Sequence, residues 1–503
     1  MMRYLKNISG VVHYFLLLVL VSQLSSCSSF LEETPTDRYV VGNFYNDADD
    51  AEAAVNAIYG QLYKIYKRHM YLMADLPTDD HKNGLGMPNS YLINLEYLRH
   101  GAENQFVREM WQYNYEGIMM ANAAVINIQA IKMDENLKDR LLAEARFLRA
   151  LYYFNLVRFY GDVPLIEKLF SLTNIEIDRT PKEIVYDFIV DDLQFAEQML
   201  PIEYWEAEQG RVTKGAAKIL MAKVYLTRKQ FKAAADKLYE VVEHENEYNY
   251  GLHENYKANW EEISERGKES VFSIEYDENG VQRNNQMALC GPRYSIHQGA
   301  GVPGLKNANE ADIPTVELFN AFKESDGRKY VTFKLEYLSP ADGEVYTSRI
   351  PLFGKYWEDG QTALNRSSVN MHILRYADAL LMYAEALNEL GHTELAVSCL
   401  NRVRYRAFKD ESENYTGLDQ ESFRLAVWNE RRLELALEGH RWFDLVRTDR
   451  LVERMRQHGS NEAILAEDDK TEISSNIKEH MVLMPIPQYE RNLNPKLEQN
   501  PGY

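Results

Sequence analysis

Residues 375–408 read RYADALLMYAEALNELGHTELAVSCLNRVRYRAF, and the fold follows from their spacing. Apolar side chains at Ala377, Leu380, Leu381, Ala384 and Leu387 recur at the interval that lines one face of an α-helix. Gly391 can end that helix, because only glycine enters the left-handed region without strain. Thr393 is placed to cap a second helix, whose buried stripe is expected at Leu395, Ala396, Cys399, Leu400 and Val403.

Two antiparallel helices with a small residue, Ala384, where their backbones approach have the pattern of a tetratricopeptide unit. Such units bury their faces only by stacking, so the chain should contain others. Residues 215–242, GAAKILMAKVYLTRKQFKAAADKLYEVV, supply one. There Ala222, Tyr225, Phe231, Ala234, Leu238 and Val241 each stand 162 positions before Ala384, Leu387, Thr393, Ala396, Leu400 and Val403. An ungapped match of this kind reads as an internal repeat.

Further helices are expected on both sides. Residues 47–66 place Ala51, Ala54, Val55, Ile58 and Leu62 on one face; helical spacing returns over 111–131 and 141–160, until Gly161 and Pro164. Thr180, Pro181 and Glu183 have the form of a capping box for a helix that runs to Met199 or Leu200. Two regions lack the period. PTDDHKNGLGMPNSY (77–91) is dense in turn formers and is expected as a surface loop. Residues 251–366 carry short extended pieces, Gly/Pro/Asn-rich turns and aperiodic aromatics. The fold class is therefore mainly α: a tetratricopeptide-like helical-repeat scaffold with a large irregular, loop-rich insertion.

The chain has 503 residues, 45% of them hydrophobic, enough for a large core, and a net charge of −20. That charge excludes nucleic acid as a partner, since phosphate backbones require a positive surface. At the N-terminus, Arg3 and Lys6 precede an apolar run at 11–20 and the sequence LSSC ending at Cys27. This has the form of a secretory signal with a lipoprotein cleavage box, which makes Cys27 the expected lipid-bearing residue and sole anchor. The divisions are then 1–26 signal, 27–46 tether, 47–250 N-terminal helical region, 251–366 insertion, and 367–503 C-terminal units with an extended tail. Cys290 and Cys399 are too few for a disulfide framework and are expected as buried thiols. His244 and His253 do not have the spacing of a zinc protease, and neither metal nor cofactor is expected.

Four stretches resemble the SusD/RagB family of outer-membrane nutrient-binding lipoproteins: Cys27 with FLEETPTD, FLRALYYFNLVRFYGDVPL (147–165), NERRLELALEGHRWFDLVR (429–447) and LMPIPQYERNLNPKLEQNPGY (483–503). The resemblance implies four tetratricopeptide-like units, with the remaining two inside 111–160 and 423–447, and makes Trp442 and Phe443 core residues. It also implies a surface lipoprotein in the outer membrane that binds a glycan and passes it to a SusC-like TonB-dependent transporter without catalysis. The implied contacts lie in the loop after the first helix, at Asp79, Asp80, His81, Asn83, Asn89 and Tyr91, and in the insertion, at Arg283, Asn284, Tyr294 and Trp357. Aromatic platforms beside amide, carboxylate and guanidinium groups suit sugars, which present flat apolar faces edged with hydroxyls.

Two other function classes stand beside this one, a surface glycoside hydrolase and a structural adaptor for a transporter. Asp79 and Asp80 are a poor hydrolase pair, because adjacent carboxylates do not flank a scissile bond. One of them is expected to staple the loop and the other to face solvent. The cluster of Arg431, Arg432 and Arg441 among Glu430, Glu434, Glu438 and Asp444 is expected as an ion-pair network on a helix surface.

Overall fold

A computed structural model describes residues 44–503 except 85, 87, 169–175, 206–207, 278–279, 281, 294–301, 359 and 461–470. Cys27 lies outside the described residues. The long helices are α1 (Ala48–Lys64), α2 (Gln105–Ile128), α3 (Glu135–Tyr160), α4 (Lys182–Met199), α5 (Lys214–Thr227), α6 (Phe231–Val242), α7 (Tyr376–Glu389), α8 (Thr393–Phe408), α9 (Gln420–Glu434), α10 (Arg441–Arg447) and α11 (Leu451–Ser460). Side chains outside the helices fix several of their starts: Asp47 accepts from Asp50 N at 3.1 Å, and Asn104 from Phe106 N at 2.9 Å.

From α1 to α7 the helices form one continuous stack. α1 packs on α2, α2 on α3, α3 on α4, α4 on α5, α5 on α6, α6 on α7 and α7 on both α8 and α9. α3 has neighbours on two sides, so from Leu141 to Val157 nearly every residue is buried. Its least exposed arginine is neutralised in place: Arg149 makes two bonds of 2.8 Å to Asp192 of α4 and a third of 2.7 Å to Asn122 of α2. The repeat read in the sequence is present as geometry. α7 begins and ends 162 residues after α5, and α8 begins 162 after α6.

Three local details differ from the sequence reading. Thr393 is the first residue of α8 rather than its cap; its hydroxyl donates to Asn388 Oδ1 at 2.9 Å, and Gly391 takes φ +82° as expected. Leu395 is 61% exposed, since the helix turns it away from α7. Thr180 does not cap α4: its backbone bridges Val163, and the carboxylate of Asp162 accepts from Lys182 N at 2.8 Å instead.

The chain leaves the stack after α6 and returns at α7, which packs directly on α6 across that gap. Six short strands, β1 (His81–Lys82), β2 (Ser270–Ile274), β3 (Ile313–Pro314), β4 (Phe333–Leu338), β5 (Val345–Phe353) and β6 (Met371–Arg375), are described, and all pair antiparallel: β1 with β3, β2 with β6, β4 with β5. β2 and β6 close the neck of the excursion. Beyond the neck lie two small cores, one of Val302, Ile313, Tyr337 and Leu352, the other of Met287, Ala288 and Leu364, and both touch Leu305 and Trp357.

Buried ion pairs fasten this excursion to the scaffold. Arg328 reaches Glu430 of α9 at 2.6 Å, Lys355 reaches Glu438 at 2.6 Å, and Glu269 accepts from Arg406 of α8 at 3.0 Å and also pairs with Arg375. The network expected on a helix surface is thus interior, with Glu430 and Glu434 fully buried and Arg431 nearly so. Burying so many charges is tolerable only because each is answered in place. Cys290 and Cys399 are both buried and unpaired.

Candidate functional site

The segment after α1 does not form a surface loop in its first half. Asp75 accepts from Gly439 N at 2.8 Å and Arg441 N at 3.2 Å, which ties the segment to the turn ahead of α10. Asp79 receives two parallel bonds of 2.8 Å from Arg441 and one of 2.6 Å from Arg454. Burial alone would raise its carboxyl, but Arg432, Arg441 and Arg454 hold it well below the usual carboxylate range. Asp80 accepts from Arg432 at 2.6 Å, so neither of the two acids faces solvent.

His81 is equally interior. Its Nδ1 lies 2.8 Å from Asp312 Oδ1, its ring 4.4 Å from that of Phe353, and β1 hydrogen-bonds β3 on either side. Burial opposes a charge on this ring, yet Asp312, Asp75 and Asp80 outweigh it and push the pKa up to about 9. These three sequence-predicted contacts lie inside the molecule and join segment 75–82, the insertion and α10. A fully paired carboxylate enclosed by protein presents nothing to a ligand, nor can it serve as acid or nucleophile in hydrolysis.

From Asn83 onward the segment emerges. Asn83 N donates to Glu96 at 3.0 Å. Gly84 and Gly86 lie so close to the backbone oxygens of Glu310 and Asn309 that a Cβ would fall 2.2 and 1.9 Å from them. Arg293 closes the same junction by donating to Gly86 O at 2.7 Å. Gly84 and Gly86 are therefore pressed against the insertion. Asn89 caps the short helix Ser90–Glu96, accepting from Tyr91 N at 2.8 Å, and Tyr91 is 38% exposed.

Within the insertion, Asn284 is structural: its amide donates to Val369 O at 2.7 Å and accepts from Gln286 N at 2.8 Å, with no exposed atoms to offer. Half-buried Arg283 donates to Gly280 O at 2.8 Å. Trp357 is half-buried too, held by Tyr337 with ring centroids 4.8 Å apart and packed against both small cores. Tyr294 lies outside the described residues. The sequence reading passed over Asn307 and Asn365, an exposed amide pair at 2.8 Å. They flank Leu364, in the small core that Trp357 touches. Isolated asparagines in turn-rich sequence carry no signal of such pairing. The candidates that keep some exposure are thus Tyr91, Trp357, Asn89, Arg283, Asn307 and Asn365, a combination of aromatic faces and planar polar groups, whereas the Asn83 amide is turned inward and donates to Gly84 O at 3.1 Å.

Comparison with known proteins bears on what such a set is for. A family model described as the SusD family matches residues 344–503, and one described as starch-binding associating with outer membrane matches residues 29–226. SusD-like protein P2 of Formosa agariphila is 29% identical over 97% of this chain and 98% of its own. A solved SusD homolog from Bacteroides thetaiotaomicron shares the fold with a TM-score of 0.81, at 25% identity over 93% of this chain and 99% of that one. A laminarin-binding SusD-like protein does so with a TM-score of 0.76, at 27% identity over 91% of this chain and all of the other.

Proposed function

The chain belongs to the SusD/RagB family, and from that membership we propose that it is a lipoprotein of the outer membrane that captures an oligosaccharide or polysaccharide and hands it intact to a partner TonB-dependent transporter. The observation that carries the reading is the junction of loop 83–91 with the insertion. Near it stand the exposed Tyr91, the half-buried Trp357 and the amide pair Asn307–Asn365, which we read as the sugar-binding groups, on the scaffold shared with a relative that binds laminarin. Sugar rings stack on aromatic faces while their hydroxyls bond amides and guanidinium groups, and this face offers both. The acidic pairs that would invite hydrolysis are consumed internally. Lipid on Cys27 would hold the body at the membrane, and among the described residues no helix is long and apolar enough to cross one.

Affinity electrophoresis of the purified chain against a panel of polysaccharides tests the reading. Retardation by at least one polymer, without release of reducing ends, is the expected result. Released reducing ends would make the protein a hydrolase. Retardation by none would make it an adaptor.

A further inference from the structure

A cavity of about 490 Å3 lies within the scaffold where α3, α4, α10 and α11 meet the C-terminal tail. Three of the stretches that carry the family resemblance converge there, contributing Arg158, Phe443 and Leu483 respectively. The glycan reading makes no use of it.

Its charges do not cancel. The Arg158 guanidinium is sandwiched between two rings, with its centre 3.9 Å from the centroid of Phe154 and 3.7 Å from that of Phe443. It donates to Phe154 O at 3.1 Å and Asn155 Oδ1 at 2.9 Å, and it makes no ion pair among the described residues. Nearby acids are already committed: Asp444 to Arg431 and Arg447, Asp378 to Lys223 and Arg431. Burial consequently draws the Arg158 pKa down to about 10, against the pull of Tyr66, Tyr186, Asp444 and Asp378. Lys182, exposed at the start of α4, also makes no ion pair among the described residues. The other charged groups of the lining have partners, Lys229 with Asp449, Arg447 with Glu385 and Asp444, and Glu479 with Arg456. Two unanswered cations in one cavity stand out in a chain of net charge −20.

A charge partly withdrawn from water without a counter-charge is costly, and stacking on aromatic rings returns only part of that cost. The walls beside it are apolar, with Val446, Val452 and Leu483, which strengthens any field the two cations make. We propose that this cavity binds the carboxylate or sulfate of a small anion no larger than a sugar acid, with Arg158 and Lys182 as its two cationic contacts. The planar guanidinium suits an oxyanion, and the volume lies in the range of small-molecule sites.

Calorimetric titration of the full chain at low salt, with sodium glucuronate, glucose and inorganic sulfate in separate arms, tests this. Saturable binding of glucuronate and none of glucose is expected, with about tenfold weakening by Lys182→Gln, an exposed change that leaves the core intact. Arg158→Gln should remove binding, with its circular dichroism recorded to confirm folding. Glucuronate binding much more tightly than sulfate would identify a sugar acid, and equal binding a free oxyanion, both in support. Absence of saturable anion binding to the parent, or equal binding by parent and Lys182→Gln, would overturn the proposal. Retardation by neutral polysaccharide should be unchanged in Lys182→Gln, so failure here and failure of the glycan reading remain separate results.

Discussion

Arg441 grips Asp79 through two parallel hydrogen bonds of 2.8 Å although the two residues stand 362 positions apart. Asp79 is fully buried, and Arg454 and Arg432 share it. Removing the carboxylate would leave three guanidinium groups facing one another with one acid fewer among them. Asp79→Ala should therefore destabilise the protein by about 3–5 kcal/mol, the cost of stranding buried charge. Urea unfolding followed by circular dichroism measures this, and a midpoint equal to the parent's would contradict it.

The ion pair of His81 predicts a pH dependence. Its folded-state pKa of about 9 lies above the ordinary 6.5, so the pair contributes fully below about pH 6.5 and is lost as pH rises through about 9. The size is on the order of 3 kcal/mol for a shift of this extent. Asp75, pushed up to about 6 by burial despite the nearby His81, titrates at the acid edge of this window and is ionised above it. The stability gap between the parent and His81→Gln should accordingly shrink from pH 6.5 to pH 9.5. A gap that stays constant or widens would mean that the ring is neutral in the folded protein.

The contrast between what the sequence disclosed and what it hid follows from the range of the interactions. Stacked helices depend on apolar spacing within one or two turns, so the repeat over α5–α6 and α7–α8 was visible as an offset of 162. Cap assignment failed at Thr180 because the donor that mattered, Lys182 N, found Asp162 on the far side of a bridge to Val163. Arg431, Arg432, Glu430 and Glu434 have the composition of a solvated helix face, and nothing local says that Asp79, Asp80, Arg328 and Arg375 arrive to enclose them. For the same reason half of the predicted ligand loop proved to be interior. Its second half could be placed beside the insertion only through contacts such as Gly86 with Asn309, which leave no mark in the sequence beyond a glycine.

Gly117, in the middle of α2, sets two effects against each other. Alanine there gains about 1 kcal/mol of helix propensity. However, its Cβ would meet the Tyr152 ring at 2.4 Å, and that ring is pinned because the Tyr152 hydroxyl donates to Ile58 O at 2.6 Å. Overpacking of this kind costs about 1–3 kcal/mol, so Gly117→Ala should be net destabilising. A thermal melt decides the sign, and a raised midpoint would show that α2 and α3 separate more easily than their packing suggests.

The glycan face makes a separable prediction because its members differ in what else they do. Asn284 is buried and fully bonded, so Asn284→Ala should cost about 1–3 kcal/mol of stability while leaving the affinity of the folded fraction unchanged. Trp357 joins two small cores, so Trp357→Ala should lower both stability and affinity. Tyr91 is the cleanest probe. It is 38% exposed at the start of a short helix, and its loss should shift stability by no more than about 0.5 kcal/mol. An aromatic contact with a sugar is worth about 0.5–1.5 kcal/mol, which is a loss of roughly threefold to tenfold in affinity for Tyr91→Ala. Affinity electrophoresis with the best polymer of the panel measures it. Parental affinity in Tyr91→Ala and in the folded fraction of Trp357→Ala together would move the binding face away from the junction of loop 83–91 with the insertion, even for a protein that binds glycan.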